Sequence, residues 1–286
     1  MKDSNKSAGI KLFISRMVVY AILIFLSFLC VFFFYLMIVN STRTHGQIQQ
    51  GFTLIPGSSF LTNLNNAWHD GSVDIPTGMV NSFIVASLSA LLTTYFSALT
   101  AYGVYTYNFK LKKFVHIFIL AIMMIPSQVS AVGFIQLAYK YGLTNKLWVL
   151  IIPSIAAPAT YFYMHQYLEA TLPLEMVEAA RIDGSNEFRI FNEIVLPIMK
   201  PAIAVQMIFS FVSSWNNYFM PALLLNKAEK RTVPVLIAQL RSADYSKFDM
   251  AKVYMLMLLA IIPVIIIYIF LSKSIIKGVT SGSVKG

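Results

Sequence analysis

Six long apolar stretches dominate the chain, near Met17–Val39, Met79–Tyr105, Phe114–Ala138, Leu147–Leu168, Ala202–Leu225 and Val253–Ser272. None contains Asp, Glu, Lys or Arg. A helix rises ~1.5 Å per residue, so about 20 apolar residues cross the ~30 Å hydrocarbon core of a bilayer. Every stretch meets that length. The stretches are apolar nearly all round, so helical periodicity says little and length decides. The pattern predicts an all-α, polytopic membrane protein with six spans. Pro126, Pro153, Pro158, Pro221 and Pro263 fall inside the stretches and are expected to bend them.

The polar segments give the topology. An even number of spans puts both termini on one side. Lys2, Lys6, Lys11 and Arg16 precede the first span, and cytoplasmic flanks carry the excess of cations. On this reading both termini are cytoplasmic, with thirteen Lys and Arg inside and nine outside. The first stretch has the basic flank of a secretory signal. Its run of about 23 residues exceeds a signal core of 7–15, and no A-x-A site follows, so it reads as an uncleaved span. The expected organisation is a cytoplasmic N-terminus over 1–16, span one over 17–39 and an outside loop over 40–78. A core of spans two to six over 79–272 follows, with a cytoplasmic loop at 169–201, and then a cytoplasmic tail over 273–286.

Composition narrows the function. Of 286 residues 57% are hydrophobic and only 12% charged, against about 25% charged in soluble domains. A soluble enzyme, a disordered chain and a disulfide scaffold are excluded. The net charge of +10 is explained by cations flanking spans beside anionic lipid. No basic cluster interleaved with exposed aromatics points to nucleic acid. The single cysteine, Cys30, lies in an apolar run, and no Cys/His set has metal spacing. The histidines His45, His69, His116 and His165 are scattered and read as interfacial or packing residues. Gly46 to Thr53 nearly matches a phosphate loop, but Phe52 replaces the essential lysine. No span holds an Asp, Glu, Lys or Arg at which a proton could dwell. The chain therefore reads as a membrane pathway with no motor and no resident cofactor or metal.

The loop over 169–201 holds six of the twelve acids and reads as two short helices around a glycine. Pro173 suits a helix start, with Glu175 and Glu178 near its positive end. Val177, Ala180 and Ile182 supply apolar surface. Gly184 permits a left-handed turn and Ser185 is placed to cap the next helix. Phe188, Phe191, Ile194, Val195 and Ile198 fall at helical spacing. Pro197 and Pro201 end that helix before the fifth span. The pair is too short to span a bilayer and too acidic to rest on anionic lipid, so a cytosolic protein partner fits better.

Glu178-Ala179-Ala180, then Gly184, then Ile194-x-Leu196-Pro197 resembles the EAA motif of permease subunits of binding-protein-dependent ABC importers, at all seven fixed positions. Ser214-Trp215-Asn216-Asn217-Tyr218 with Pro221 is similar to a segment of the carbohydrate, maltose-type branch. Gly278-Val279-Thr280-x-Gly282-x-Val284-Lys285-Gly286 is similar to that branch's ending. The likeness is closest to the smaller, second permease of the pair. It implies an ABC type I importer fold with a cytoplasmic coupling helix. Also implied are a second permease, two cytoplasmic ATPases that bind ATP and Mg, an extracellular sugar-binding protein and a di- or oligosaccharide substrate. Glu178, Ala179, Ala180, Gly184, Ile194, Leu196 and Pro197 would couple this chain to an ATPase. Trp215, Asn216 and Asn217 are pathway candidates, since amides at membrane depth need partners and an indole can stack on a sugar; interhelical bonding and subunit packing, with the sugar held by the other subunit, is the explanation the sequence favours. The rivals are a self-contained secondary carrier or channel, which leaves the acidic loop without a purpose, and a membrane enzyme, for which no reactive cluster is present.

Overall fold

The computed structural model describes residues 2–242 and 248–282; Lys247 and the tail residues Val284, Lys285 and Gly286 lie outside them. Among the described residues the fold is helical throughout, without strands. In chain order the helices are α1 (Lys2–Ser41), α2 (His45–Gln49), α3 (Phe60–Trp68), α4 (Ile75–Thr106), α5 (Lys112–Ile122), α6 (Ser127–Lys140), α7 (Trp148–Ile151) and α8 (Pro158–Thr171). They continue as α9 (Leu174–Ile182), α10 (Glu187–Ile190), α11 (Leu196–Ile198), α12 (Lys200–Trp215), α13 (Phe219–Leu224), α14 (Val233–Arg241) and α15 (Met250–Gly282).

Two compact units divide the chain, Met1–Ala67 with Ala243–Leu259 and Trp68–Ser242 with Ala260–Gly286. In the first, α1 exposes nearly all its side chains from Phe13 to Phe34, as a lipid-facing helix does. The segment after it is stapled by polar groups. Asn63 Nδ2 donates to the carbonyls of Ser41 (2.8 Å) and Arg43 (2.9 Å). The buried Arg43 guanidinium donates to the carbonyls of Gly51 and Gln47, and His45 Nδ1 accepts from Met250 N at 3.0 Å. Arg43 and His45 are thus structural, and the segment over 40–78 contains the helices α2 and α3 rather than loop alone.

In the second unit α4 is the axis, packed by α8 and α12. Ala86, Ala90, Thr94, Ala98 and Ala101 are all at most 2% exposed and recur every three or four residues. Lipid is as apolar as leucine, so helices associate through close van der Waals contact, which small residues allow. Thr94 Oγ1 returns its proton to the Ala90 carbonyl at 2.8 Å, which hides the hydroxyl from lipid.

Six uninterrupted spans are not what forms. Among the described residues three helices are long and apolar enough to cross alone, α1 from Phe13, α4 and α15, and up to five if two bent pairs each count as one. The third stretch bends by 91° between α5 and α6, where Pro126 stands before Ser127. The fourth breaks into α7, a 3-10 turn over Ile152–Ile155 and α8. Pro153 lacks the N–H of the helical ladder and falls at the change to the 3-10 turn, while Pro158 stands after Ala157, whose φ of −119° and ψ of 83° are out of helical geometry. The fifth pauses at Asn216–Tyr218, between α12 and α13. Pro263, by contrast, lies inside α15, which continues through it.

Candidate functional site

The loop over 169–201 folds as two short helices about a turn. Pro173 stands one residue before α9. Val177 (1% exposed) and Ala180 (7%) face inward, while Glu175, Glu178 and Ala179 point outward. The helix ends with Gly184 N donating to the Arg181 carbonyl and Ser185 N to the Ala180 carbonyl, both at 3.0 Å. Gly184 takes φ +79°, the left-handed conformation this C-terminal motif requires. Asn186, not Ser185, caps the next helix, its Oδ1 accepting from Arg189 N at 2.9 Å.

The helix from Glu187 to Ile198 is not regular. A π-turn occupies Phe191–Val195, where Leu196 N donates to Phe191 O, and the helix then bends 82° into α12. Pro197 has no N–H for the carbonyl four residues before it, and a wider turn accommodates that loss. The apolar face consequently differs from the 3.6-residue reading. Ile190, Phe191 and Val195 are fully buried against Tyr102, Leu168 and Leu172, with Ile194, Leu196 and Ile198 half-buried on the same core. Phe188, placed on that face by spacing, is 71% exposed. Ile182 (86%) and Met176 (43%) are also exposed. The segment therefore presents unpartnered apolar side chains beside outward carboxylates.

An ion-pair clamp not foreseen from the sequence ties the segment to α4. Arg181 Nε donates to Glu187 Oε1 at 2.6 Å across the Gly184 turn, and Tyr102 Oη donates to Glu187 Oε2, also at 2.6 Å. The Arg181 guanidinium lies 5.1 Å from the Tyr107 ring centre. The Arg181 hydrogen bond, assisted by Tyr102, holds the Glu187 carboxyl down at about 2. The same bond pushes the Arg181 guanidinium up, and burial followed by Glu187 pushes the Tyr107 phenol up. The only available signal was opposite charges six residues apart on either side of a glycine turn.

The pathway candidates separate. Trp215 is 3% exposed, stacks on Phe211 with ring centres 5.7 Å apart and donates Nε1 to the Ala260 carbonyl at 3.0 Å. Asn216 and Asn217 are exposed. Asn217 lines two clefts of about 350 and 400 Å³, and Ser214 and Leu150 line both as well; Trp215 is not among the lining residues of either. The histidines are less scattered than the sequence suggested: His116 and His165 rings lie 4.6 Å apart, and His116 Nδ1 is 2.9 Å from Tyr161 Oη.

The family described as the binding-protein-dependent transport system inner membrane component matches residues 91–280, which include the glycine-hinged segment, the clamp and both amides. The chain belongs to this family of importer permeases. It is 33% identical to the arabinooligosaccharides transport system permease protein of Halalkalibacterium halodurans, over 92% of this chain and 94% of that protein. It is 31% identical to the melibiose/raffinose/stachyose import permease protein of Bacillus subtilis, over 88% and 91%. A crystal structure of a bacterial ABC transporter involved in the import of the acidic polysaccharide alginate shares the fold, at a TM-score of 0.78 and 21% identity, covering 91% of this chain and 96% of that one. The family resemblance drawn from Glu178 to Pro197 holds. The permease is a transport component rather than an enzyme, and a self-contained carrier or channel is not favoured.

Proposed function

We propose that this permease pairs with a second permease to form the path for a di- or oligosaccharide delivered by an extracellular binding protein, and that two cytoplasmic ATPases drive it. The observation that carries this is the segment from α9 to α11. It sets exposed Ile182, Phe188 and Met176 outside the long apolar helices, yet is clamped to α4 through Arg181, Glu187 and Tyr102. An apolar, acid-edged surface of this kind fits a protein cleft. Glu178 would make polar contacts there, and outward Ala179 would let the cleft approach. Ala180 and Gly184 would shape the helix end, while Ile194, Leu196 and Pro197 would anchor the segment to the spans. ATP and Mg would be bound wholly on the partners. The segment then faces the cytoplasm, as do both termini.

For the pathway, Asn217 is the favoured contact and Asn216 its exposed neighbour, with Trp215 bracing the helix behind them. The carbohydrate substrate is supported by the relatives, whose names specify arabinooligosaccharides and melibiose, raffinose and stachyose. The test is purification of the assembly, followed by ATPase stimulation with a panel of sugar-loaded binding proteins. Stimulation by a loaded oligosaccharide-binding protein is expected. Sugar uptake into liposomes by this chain alone, without any ATPase, would overturn the proposal.

A further inference from the structure

The polar residues of α12 do not scatter. Gln206, Ser210 and Ser213 recur at intervals of four and three along α12, with Ser214 beside Ser213, so they share one side of an otherwise apolar helix, and Asn217 stands two residues beyond its end. On α4, Ser82, Ser89 and Thr93 also share a face. The two faces line the clefts described above, Ser82 in one and Ser89 and Thr93 in the other, with Ser214 and Asn217 in both. Hydroxyls and amides at span depth are not left against lipid, because hydrocarbon offers them no partner. Water, a solute or another protein surface must meet this seam.

Four features point to a solute. Ser89 is 3% exposed, lines the larger cleft and has a hydroxyl without any hydrogen-bond partner. Thr232 is likewise 3% exposed, unpartnered and in the lining of the other cleft. Phe209 lines the larger cleft and is 65% exposed. A sugar offers what these lack: hydroxyls that both donate and accept, and a C–H face that lies on an aromatic ring. Finally, no Asp, Glu, Lys, Arg or His lines either cleft, so a carboxylate or phosphate would find no counter-charge.

We infer that the cleft bounded by Ser89, Gln206, Phe209, Ser213 and Asn217 is a transient station for a neutral oligosaccharide and discriminates against acidic ones. This rests on the reading that a carbohydrate passes along this chain. Packing of the seam against the second permease is the competing outcome.

The complete assembly with its binding protein, in liposomes, provides the test. Ser213→Cys in a Cys30→Ser background is treated with a charged methanethiosulfonate, with and without ATP, in the presence of raffinose, arabinotriose or trigalacturonate, and labelling is read by mass on this chain. Reaction in at least one nucleotide state is expected, slowed at least threefold by a neutral sugar and unchanged by trigalacturonate. Gln206→Leu and Ser89→Ala should raise the KM for uptake three- to tenfold with subunit co-purification intact; Ser89→Ala removes a hydroxyl that bonds nothing, so the fold should tolerate it. A thiol reached only by lipid-soluble N-ethylmaleimide would mean a packed face and overturn the proposal. Labelling without sugar protection, together with unchanged KM in both variants, would also overturn it, as would protection by trigalacturonate. If the unsubstituted assembly carries no carbohydrate at all, the substrate reading fails separately, while thiol labelling still reports whether water fills the cleft.

Discussion

Glu187→Gln tests whether the clamp transmits motion. The substitution keeps an oxygen for Tyr102 but removes the charge that faces Arg181. A carboxyl held at about 2 against an ordinary 4.5 corresponds to about 3 kcal/mol at ~1.4 kcal/mol per pH unit. The Glu187 side chain is 41% exposed, so water screens much of this, and about 1 kcal/mol survives. That amount lowers the closed-to-open ratio of the clamp roughly fivefold. The assay is ATP hydrolysed per sugar imported by the reconstituted assembly. Import should fall three- to tenfold while the ATPases remain bound, so the ratio rises. Tyr102→Phe, which keeps the ring on Phe191, should act in the same direction. Arg189→Gln is the control, because its pair with Glu193 is 63% and 60% exposed and touches only its own segment. An unchanged ratio in Glu187→Gln and Tyr102→Phe would refute the clamp as a transmitter.

Other outcomes follow from the same geometry. Ile182→Glu should release the ATPases in co-purification without lowering the thermal midpoint of the permease pair, since Ile182 is 86% exposed; retained ATPases would remove Ile182 from the docking surface. A Cβ at Gly184 meets nothing within 4 Å, so the cost of substitution is conformational, about 1 kcal/mol for alanine and more for a β-branched residue. Thermal midpoints should fall in the order Gly, Asn, Ala, Val, and a valine variant as stable as asparagine would contradict this. Trp215→Phe should cost about 1 kcal/mol through the lost bond to Ala260 and leave KM for sugar unchanged; a raised KM at unchanged stability would place the indole in the pathway instead. Glu187 has a depressed carboxyl value, so its stabilisation is complete above about 4.5 and fades only as pH falls towards about 2. Changing Glu187 to Gln should therefore leave the pH profile of transport between 5 and 8 unchanged in shape.

Much of the segment over 169–201 was legible because its signals are local. Gly184 is required by a left-handed turn, and Val177 and Ala180 face inward as their spacing says. The misreadings have a common physical source, which is local deviation from the regular helix. Phe188 was assigned to the buried face by a 3.6-residue period, but the π-turn over Phe191–Val195 resets the register between Phe188 and Ile194. Arg181 and Glu187 are six residues apart, a spacing no helix brings together; only the turn at Gly184 does. The prolines announced that spans would bend, yet sequence alone does not say that Pro126 turns its stretch by 91° while α15 runs through Pro263. The polar seam was visible at 206, 210, 213 and 214 of α12 and at 217 beyond it, but its meaning depended on α4 bringing Ser89 to the same cleft.

The helix α4 also joins the clamp to the cleft. Tyr102, which holds the clamp, and Ser89, which lines the cleft, lie on the same unbroken helix of 32 residues. Thirteen residues separate them, about 20 Å at ~1.5 Å per residue. Stretches three, four and five are each interrupted at proline or at Asn216–Tyr218 and would absorb a displacement by flexing. An uninterrupted helix packed on small residues delivers it. The placement of charge follows the same logic. The Arg181–Glu187 pair meets α4 at Tyr102, near its C-terminal end, and is one-third to two-fifths exposed. The groups along the span are hydroxyls and amides, which meet a sugar without carrying charge into hydrocarbon. On the proposed function, force and recognition would then use different parts of one unbroken helix, with ATP bound on another chain.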